Sequence, residues 1–381
     1  LTLLAVALWL LLVSLSTECS HRSPYRRDVG APLVDTDAPG ELISRLLLIG
    51  DAGHAAAGST VIAALAQRAA DNPARTIVLY LGDNIYTAGM PPVDDELRAL
   101  SERRLLAQID PLRSVGVEVL FVPGNHDWDN AGPDGLGAVL RQEAFLREKG
   151  TDKMRMAPSG AKPGPACLDR PSLRLIALDT QWWLHDFERN VGPSIGERTV
   201  LDALDRCLRE AHGRHVVVVG HHPLHTNGPH GGFTEFVDHV FPLTRLSRWG
   251  YVPLPIIGSA YPMVRSLGVS AQDIDSEANR VMVAALSGVL QAHRPLLYAS
   301  GHDHSLQVHE LQFGPRFHVV SGAGSSTTPV GHDKSTLFAV ERLGFIEVDI
   351  DRTEVARLRV YAATESGPKR LWERRLGRFG P

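Results

Sequence analysis

Five short stretches of this chain end an apolar run on a residue that can hold a metal ion. Leu47-Leu48-Ile49 leads into Gly50-Asp51-Ala52-Gly53, and Val78-Leu79-Tyr80-Leu81 into Gly82-Asp83-Asn84-Ile85-Tyr86. Val119-Leu120-Phe121-Val122 leads, through Pro123, into Gly124-Asn125-His126-Asp127. Residues 216–219 lead into Gly220-His221-His222, and residues 296–300 into Gly301-His302-Asp303-His304. Asp51, Asp83, Tyr86, Asn125, His221, His302 and His304 together offer carboxylate, phenol, amide and imidazole donors. That mixture suits hard and borderline cations, and a two-metal site needs one ligand shared between its ions. A single histidine in a turn is ordinarily structural or solvated. Five donor-bearing turns in succession, each after an apolar run, read as the inventory of a metal site.

Such runs suit strands buried on both faces of a sheet. Polar groups at the C-terminal ends of strands sit where open α/β sheets place their sites. Between the runs, helical spacing of apolar residues predicts helices over 60–70, 97–112 and 137–149, a βαβ succession. A further strand is expected over 173–178, ending at Asp179-Thr180, and a helix over 197–211. Residues 228–294 break the rhythm. Pro242, Trp249, Tyr251, Pro253, Pro255, Tyr261 and Pro262 are too apolar for a linker, so this stretch reads as an elaboration beside the site, a lid or a substrate-side wall, closing with a helix near 277–292. Strands are expected at 317–321, 345–350 and 355–361, the last two a hairpin turning near Asp351-Arg352.

At 381 residues, 44% hydrophobic and 22% charged, the chain is globular and has enough residues for a large core. A net charge of −4 gives no basic excess for nucleic-acid binding. The apolar run over 1–13, followed by Ser14 and Ser16, fits the core of a secretory signal better than a spanning helix, which needs about 20 residues. Residues 1–20 are therefore read as a signal peptide or an uncleaved N-terminal anchor, with lipidation of Cys19 ranked last. Either of the first two implies export, periplasmic or extracellular, with membrane contact only through the N-terminal segment. Residues 21–40 read as an irregular leader, 41–365 as the folded domain and 366–381 as a solvated basic tail. If Cys19 lies in a removed segment, Cys167 and Cys207 can pair; two buried free thiols is the alternative.

The five motifs resemble those of the calcineurin-like metallophosphoesterases, and the chain is similar within them to the purple acid phosphatases, including the tartrate-resistant type. The matching segments span residues 47–308. Many relatives carry Asp-x-His in the first motif; here Gly53 takes the place of that histidine. A tyrosine after the second aspartate serves instead in the purple acid phosphatases, and Tyr86 stands there. His54 is a stand-in or a solvent-facing loop residue.

The resemblance implies a four-layer α/β/β/α sandwich of two mixed sheets flanked by helices. It implies two metal ions: Fe(III) held by Asp51, Asp83, Tyr86 and His304, and a divalent ion (Fe, Zn or Mn) held by Asp83, Asn125, His221 and His302, with Asp83 bridging. It makes His126 the residue that faces the substrate phosphate and protonates the leaving group, with Asp127 orienting it. His230, followed by Gly231, takes the place of a further substrate-side histidine, and His222 is set to touch the phosphate. His225, His239, His293 and His332 receive no role. The implied reaction is cleavage of phosphate monoesters in a small phosphorylated substrate by a metal-activated hydroxide. A phosphodiesterase or nucleotide hydrolase on the same scaffold is the first alternative, and a non-catalytic metal-binding protein of the cell envelope the second.

Overall fold

Neighbouring residues of each central strand face opposite ways, and both ways are apolar. In β2 (Leu42–Ile49), Leu46 and Leu48 join one buried cluster while Leu47 and Ile49 join another. β3 (Thr76–Leu81) and β4 (Glu118–Val122) divide their residues in the same way. The strands are continuous apolar runs because they are covered on both faces. The computed structural model describes residues 24–27, 40–185, 196–233, 240–241 and 272–378.

One sheet has seven strands. β5 (Met154–Met156), β4, β3 and β2 run parallel, followed by antiparallel β13 (Gly344–Asp351), β14 (Val355–Thr364) and β15 (Gly367–Arg378). The other has eight, in the order β1 (Tyr25–Arg26), β12 (Thr336–Val340), β10 (Leu306–Glu310), β11 (Phe317–Ser321), β9 (Leu297–Ser300), β8 (His215–Val219), β7 (Leu173–Ala177) and β6 (Ala166–Arg170). Its central members β11, β9, β8 and β7 are parallel. The sheets share one core, in which Leu46, Leu79 and Val348 meet Leu175, Val217 and Val319.

Outside the first sheet, α1 (Thr60–Ala70), α2 (Arg98–Val115) and α3 (Gly135–Lys149) pack over Leu47, Val78 and Phe121. Outside the second, the short α4 (Gln181–Leu184), α5 (Glu197–Arg209) and α6 (Glu277–His293) pack over Ile176, Val218 and Tyr298. This is the expected sandwich of two mixed sheets between helices. Among the described residues, no helix is long and apolar enough to cross a membrane.

Two expectations are corrected. The stretch expected as a basic tail is mostly strand β15, paired along β14. Trp372 and Leu376 reach the inter-sheet core, while Arg370 pairs with Glu373 and Arg374 with Glu310 at the sheet edge. Charged side chains suit an edge strand, since they discourage pairing with another chain. The leader is not wholly irregular: Tyr25 and Arg26 pair with Ala339 and Phe338. Cys167 in β6 and Cys207 in α5 form a disulfide. Within the 228–294 elaboration, residues 234–239 and 242–271, including His239, Trp249 and Tyr251, lie outside the described residues. The residues on either side of them frame part of the site.

Candidate metal centre

The parallel strands of both sheets end at one rim. Asp51 follows β2, Asp83 follows β3, Asn125 follows β4, His221 follows β8 and His302 follows β9. Asp51, Asp83 and His302 all adopt left-handed backbone, with φ of 59°, 54° and 72°. Non-glycine residues hold such φ values only where the surroundings fix them, often at functional sites. Gly82 and Gly124 permit the close approach of these turns. A Cβ on Gly82 would collide with the His221 imidazole, and one on Gly124 with the Asp83 carboxylate.

All seven proposed donors meet. The Tyr86 hydroxyl lies 3.1 Å from Asp51 Oδ1 and 3.0 Å from His304 Nε2, and the Asp83 carboxylate is near enough to help hold the phenol protonated. His221 Nε2 lies 3.0 Å from Asn125 Oδ1, 3.1 Å from His302 Nδ1 and 3.4 Å from Asp83 Oδ1. Asp83 thus sits between a group holding Asp51, Tyr86 and His304 and a group holding Asn125, His221 and His302. A Cβ at position 53 would meet the Asp83 carbonyl and the Ile85 and Tyr86 amides, so a histidine there has no room.

The proton positions follow from the carbonyls behind the rings. His221 Nδ1–H donates to Leu81 O at 2.8 Å, and His302 Nε2–H donates to Gln272 O at 2.9 Å. A carbonyl only accepts, so each neutral ring turns a lone pair inward. Those two lone pairs, the Asn125 amide oxygen and an Asp83 oxygen converge with no donor among them. Asp51 and Asp83 are buried, and no Lys or Arg of the described residues pairs with either. Buried charge is costly unless it is paired, and the ionisable groups within 4 Å of these carboxylates are the imidazoles of His126, His221 and His304 and the Tyr86 phenol. A donor set of this kind fits metal ions, and three of its members, Asp51, Asp83 and His221, place one ligand atom each within 4.8 Å of one another.

The electrostatics agree. Burial works to raise the Asp83 carboxyl, yet the His221 and His126 imidazoles bring it below its ordinary value. Burial works to lower His221 and His304, but Asp83 and Asp51 raise the first and Asp51 the second. Burial, reinforced by Asp51 and Asp83, holds the Tyr86 phenol well above its usual range. Burial and the neighbouring His230, His222 and His221 push His302 well below.

The remaining candidates divide. His126 stands at the rim, its Nε2 3.8 Å from Asp83 Oδ2, and its Nδ1–H donates to the Thr87 carbonyl at 2.5 Å. Asp127 does not orient it. The Asp127 carboxylate is buried and accepts the backbone N–H groups of Gly124, Asn84 and Ile85 at 2.8, 3.0 and 3.2 Å, together with the Asn84 amide. It ties the second and third motifs together, and Thr87 fixes the His126 ring. His222 lies beside His221 and His302, with a ring nitrogen within 4.8 Å of a ring nitrogen of each. It is fully buried, with Nδ1 2.9 Å from the Thr180 hydroxyl and Nε2 2.9 Å from Gln272 Oε1, and burial with His221 alongside pushes it down to about 3. His230 does reach the site: its ring centroid is 3.9 Å from that of His302, and its Nδ1 is 3.1 Å from Asp273 Oδ1. His54 is exposed and meets the Tyr86 ring edge-on at 4.5 Å.

Sequence reasoning missed four supporting residues. Thr180, at the end of β7, accepts the amides of His221 and His222 through its hydroxyl; the strand-end rule used for the other motifs covers it as well. Ser326 backs His304 Nδ1 at 2.8 Å. Gln272 and Asp273, within the elaboration, carry no local signal of their role.

The fold and this rim define a class. The sequence model for calcineurin-like phosphoesterases matches residues 44–306, and the chain belongs to that family. Within it the chain is similar to the purple acid phosphatases: it is 24% identical over 328 residues to purple acid phosphatase 4 of Arabidopsis thaliana, covering 81% of this chain and 78% of that protein. Two solved structures share the fold. GAP50, the anchor in the inner membrane complex of Plasmodium, aligns with a TM-score of 0.54 at 16% identity over 89% of this chain and 90% of its own. Purple acid phosphatase PPD1 from seeds of yellow lupin, Lupinus luteus, aligns with a TM-score of 0.53 at 14% identity over 88% of this chain, which spans 54% of the lupin protein. The protein is thus a hydrolase of the metallophosphoesterase superfamily, with clustered His and Asp groups able to hold metal.

Proposed function

We propose that this protein hydrolyses phosphate monoesters at a two-metal centre. The observation that carries the reading is the ring of acceptors around Asp83, with His126 at its open rim and His230 against His302. Asp51, Asp83, Tyr86 and His304 would hold one ion, and Asp83, Asn125, His221 and His302 the other. Two bound cations supply an acidified water and neutralise charge on the phosphoryl oxygens. The chain's own residues do the rest. The carbonyls of Leu81 and Gln272 keep the inward lone pairs of His221 and His302 available. Thr87 keeps the His126 Nδ1 proton, leaving Nε2 as the port that exchanges a proton with the leaving oxygen. His230, leaning on His302 and held by Asp273, lies where it can meet a substrate oxygen.

Iron at the first position is favoured by Tyr86, since a phenolate suits Fe(III). Such a pair absorbs visible light, so the iron-loaded protein should be coloured, and Tyr86→Phe should be colourless while keeping the second metal. Export is favoured by the Cys167–Cys207 disulfide, which persists in oxidising compartments, and by the apolar run over 1–13.

The test of substrate class is turnover of p-nitrophenyl phosphate against its bis ester by metal-loaded protein. Preference for the monoester is the expected result. Preference for the bis ester would move the assignment to a phosphodiesterase. No turnover of either would favour a binding role; GAP50, which shares the fold, is described as an anchor.

A further inference from the structure

The described residues hold another group of ligand side chains, separate from the set around Asp83. His225, His309 and Asp333 each present one ligand atom within 4.8 Å of the others. They come from three places in the chain: the loop after β8, strand β10, and the turn before β12.

The His309 tautomer is fixed from behind. The Gln307 amide oxygen accepts the Asn227 backbone N–H at 2.9 Å, and its NH2 donates to the hydroxyls of Thr226 and Ser305, each at 2.9 Å. With the amide so oriented, the same oxygen, 3.0 Å from His309 Nε2, accepts the Nε2 proton. The neutral ring therefore carries its lone pair on Nδ1, which faces the Ser335 hydroxyl at 3.2 Å.

The Asp333 carboxylate is fixed as well. Its Oδ1 accepts the Ser335 and Thr336 N–H groups at 2.8 and 3.2 Å and both their hydroxyls. Its Oδ2 is left facing His225 Nε2 at 3.1 Å, and the Ser335 hydroxyl lies 3.3 Å from that same nitrogen. An ordinary ion pair accounts for His225 and Asp333 alone. It does not account for the convergence: a saturated Gln307 turns the lone pair of the buried His309 toward the same spot, where it meets the Ser335 hydroxyl that also lies beside His225. Tetrahedral zinc with nitrogen and oxygen ligands at about 2.0–2.2 Å sets those ligands about 3.3–3.6 Å apart. His225 Nε2 and Asp333 Oδ2 are 3.1 Å apart, the Ser335 hydroxyl is 3.2 and 3.3 Å from the His309 and His225 rings, and all three ligand atoms lie within 4.8 Å of one another. A hydrogen-bonded carbonyl-type oxygen behind the ring is the usual support for a ligating histidine.

We propose that His225 Nε2, His309 Nδ1 and Asp333 Oδ2 bind a zinc ion, with the Ser335 hydroxyl or a water completing a tetrahedron. The ion fastens the loop after β8, which carries His221, His222 and His230, to strands β10 and β12. Those segments already touch, since Gly331 N–H donates to Asn227 O at 2.8 Å.

The test is zinc counted per chain after equilibrium dialysis of the full-length protein. Wild type should hold one zinc more than either Asp333→Asn or His225→Ala, with near-UV circular dichroism confirming that the variants are folded. Zinc-equilibrated wild-type crystals should show an anomalous peak between the three named atoms. Equal zinc content in wild type and folded variants, or no peak at that position, overturns the proposal; the wild-type map decides even if both variants misfold.

Discussion

His221 Nε2 and His302 Nδ1 lie 3.1 Å apart while the other nitrogen of each ring donates to a backbone carbonyl. Two lone pairs held face to face by the backbone, beside a buried carboxylate, mark where positive charge belongs. Asp83 joins this pair to Tyr86 on the other side. Asp83→Ala should therefore empty both positions, whereas His302→Ala should empty only one. Metal counting by mass spectrometry on the two variants checks this, and an Asp83→Ala protein that still holds two ions tightly would remove the bridging role.

His126 and Asp127 are neighbours in sequence but should fail differently. His126→Ala should keep its metals and lose about 10²–10⁴-fold in kcat, the usual contribution of a general acid. The loss should be smallest for esters with good leaving groups, which need little protonation. Asp127→Ala, by contrast, strips acceptors from the buried amides of Asn84, Ile85 and Gly124. It should lower Tm and metal content together, with a leaving-group dependence like that of wild type. A folded, fully metallated Asp127→Ala protein with the His126→Ala profile would restore the orienting role to Asp127.

Under α1 a buried charge network crosses the first sheet. Arg45 holds Asp349 through two bonds of 2.7 and 3.0 Å, and Arg359 bridges Asp349 and Glu347 at 2.7 and 2.8 Å. Burial works to raise Asp349, but Arg45, Arg359 and Arg68 bring it below its ordinary value. A carboxylate lowered on folding stabilises above its unfolded pKa of about 3.9 and loses that contribution as pH falls through the folded value. Asp349→Asn should cost about 3 kcal/mol at pH 7, the scale for breaking a buried pair. The difference from wild type should shrink as pH drops below about 4. Urea unfolding at pH 7 and pH 3 measures both, and a pH-independent difference would mean that packing, not charge, sets the loss.

The disulfide closes a loop with a sequence separation of 40. Constraint of the unfolded chain over that length is worth about 4 kcal/mol on the chain-entropy scale. Cys167→Ser/Cys207→Ser should lower stability on that order, with the metals still bound at room temperature. Denaturation of oxidised and double-mutant protein decides it, and equal midpoints would show that the bond adds nothing.

The motif residues were legible because each ends a run covered on both faces, so sequence alone places them at strand ends. Gly53 and Tyr86 were legible as a pair through the resemblance, which puts a tyrosine after the second aspartate where the first motif lacks its histidine. The resemblance gave Asp127 and His222 their roles, and the contacts each makes in the fold are not written in its neighbours along the chain. Asp127 meets Asn84, distant in sequence, and His222 meets Thr180 and Gln272 across the rim. β15 looked like a solvated tail because its basic residues lie at the sheet edge, and Leu371, Trp372 and Leu376 betray the core beneath. The same distance in sequence hid the meeting of His225 with His309 and Asp333.

The most direct test of the central claim is monoester turnover measured while metal is titrated into the metal-stripped full-length chain. Activity on p-nitrophenyl phosphate should be absent without metal and rise until two ions are bound around Asp83. It should stay absent in Asp83→Ala at every metal concentration. Turnover in the stripped protein, or none in wild type with both positions filled, would contradict the account.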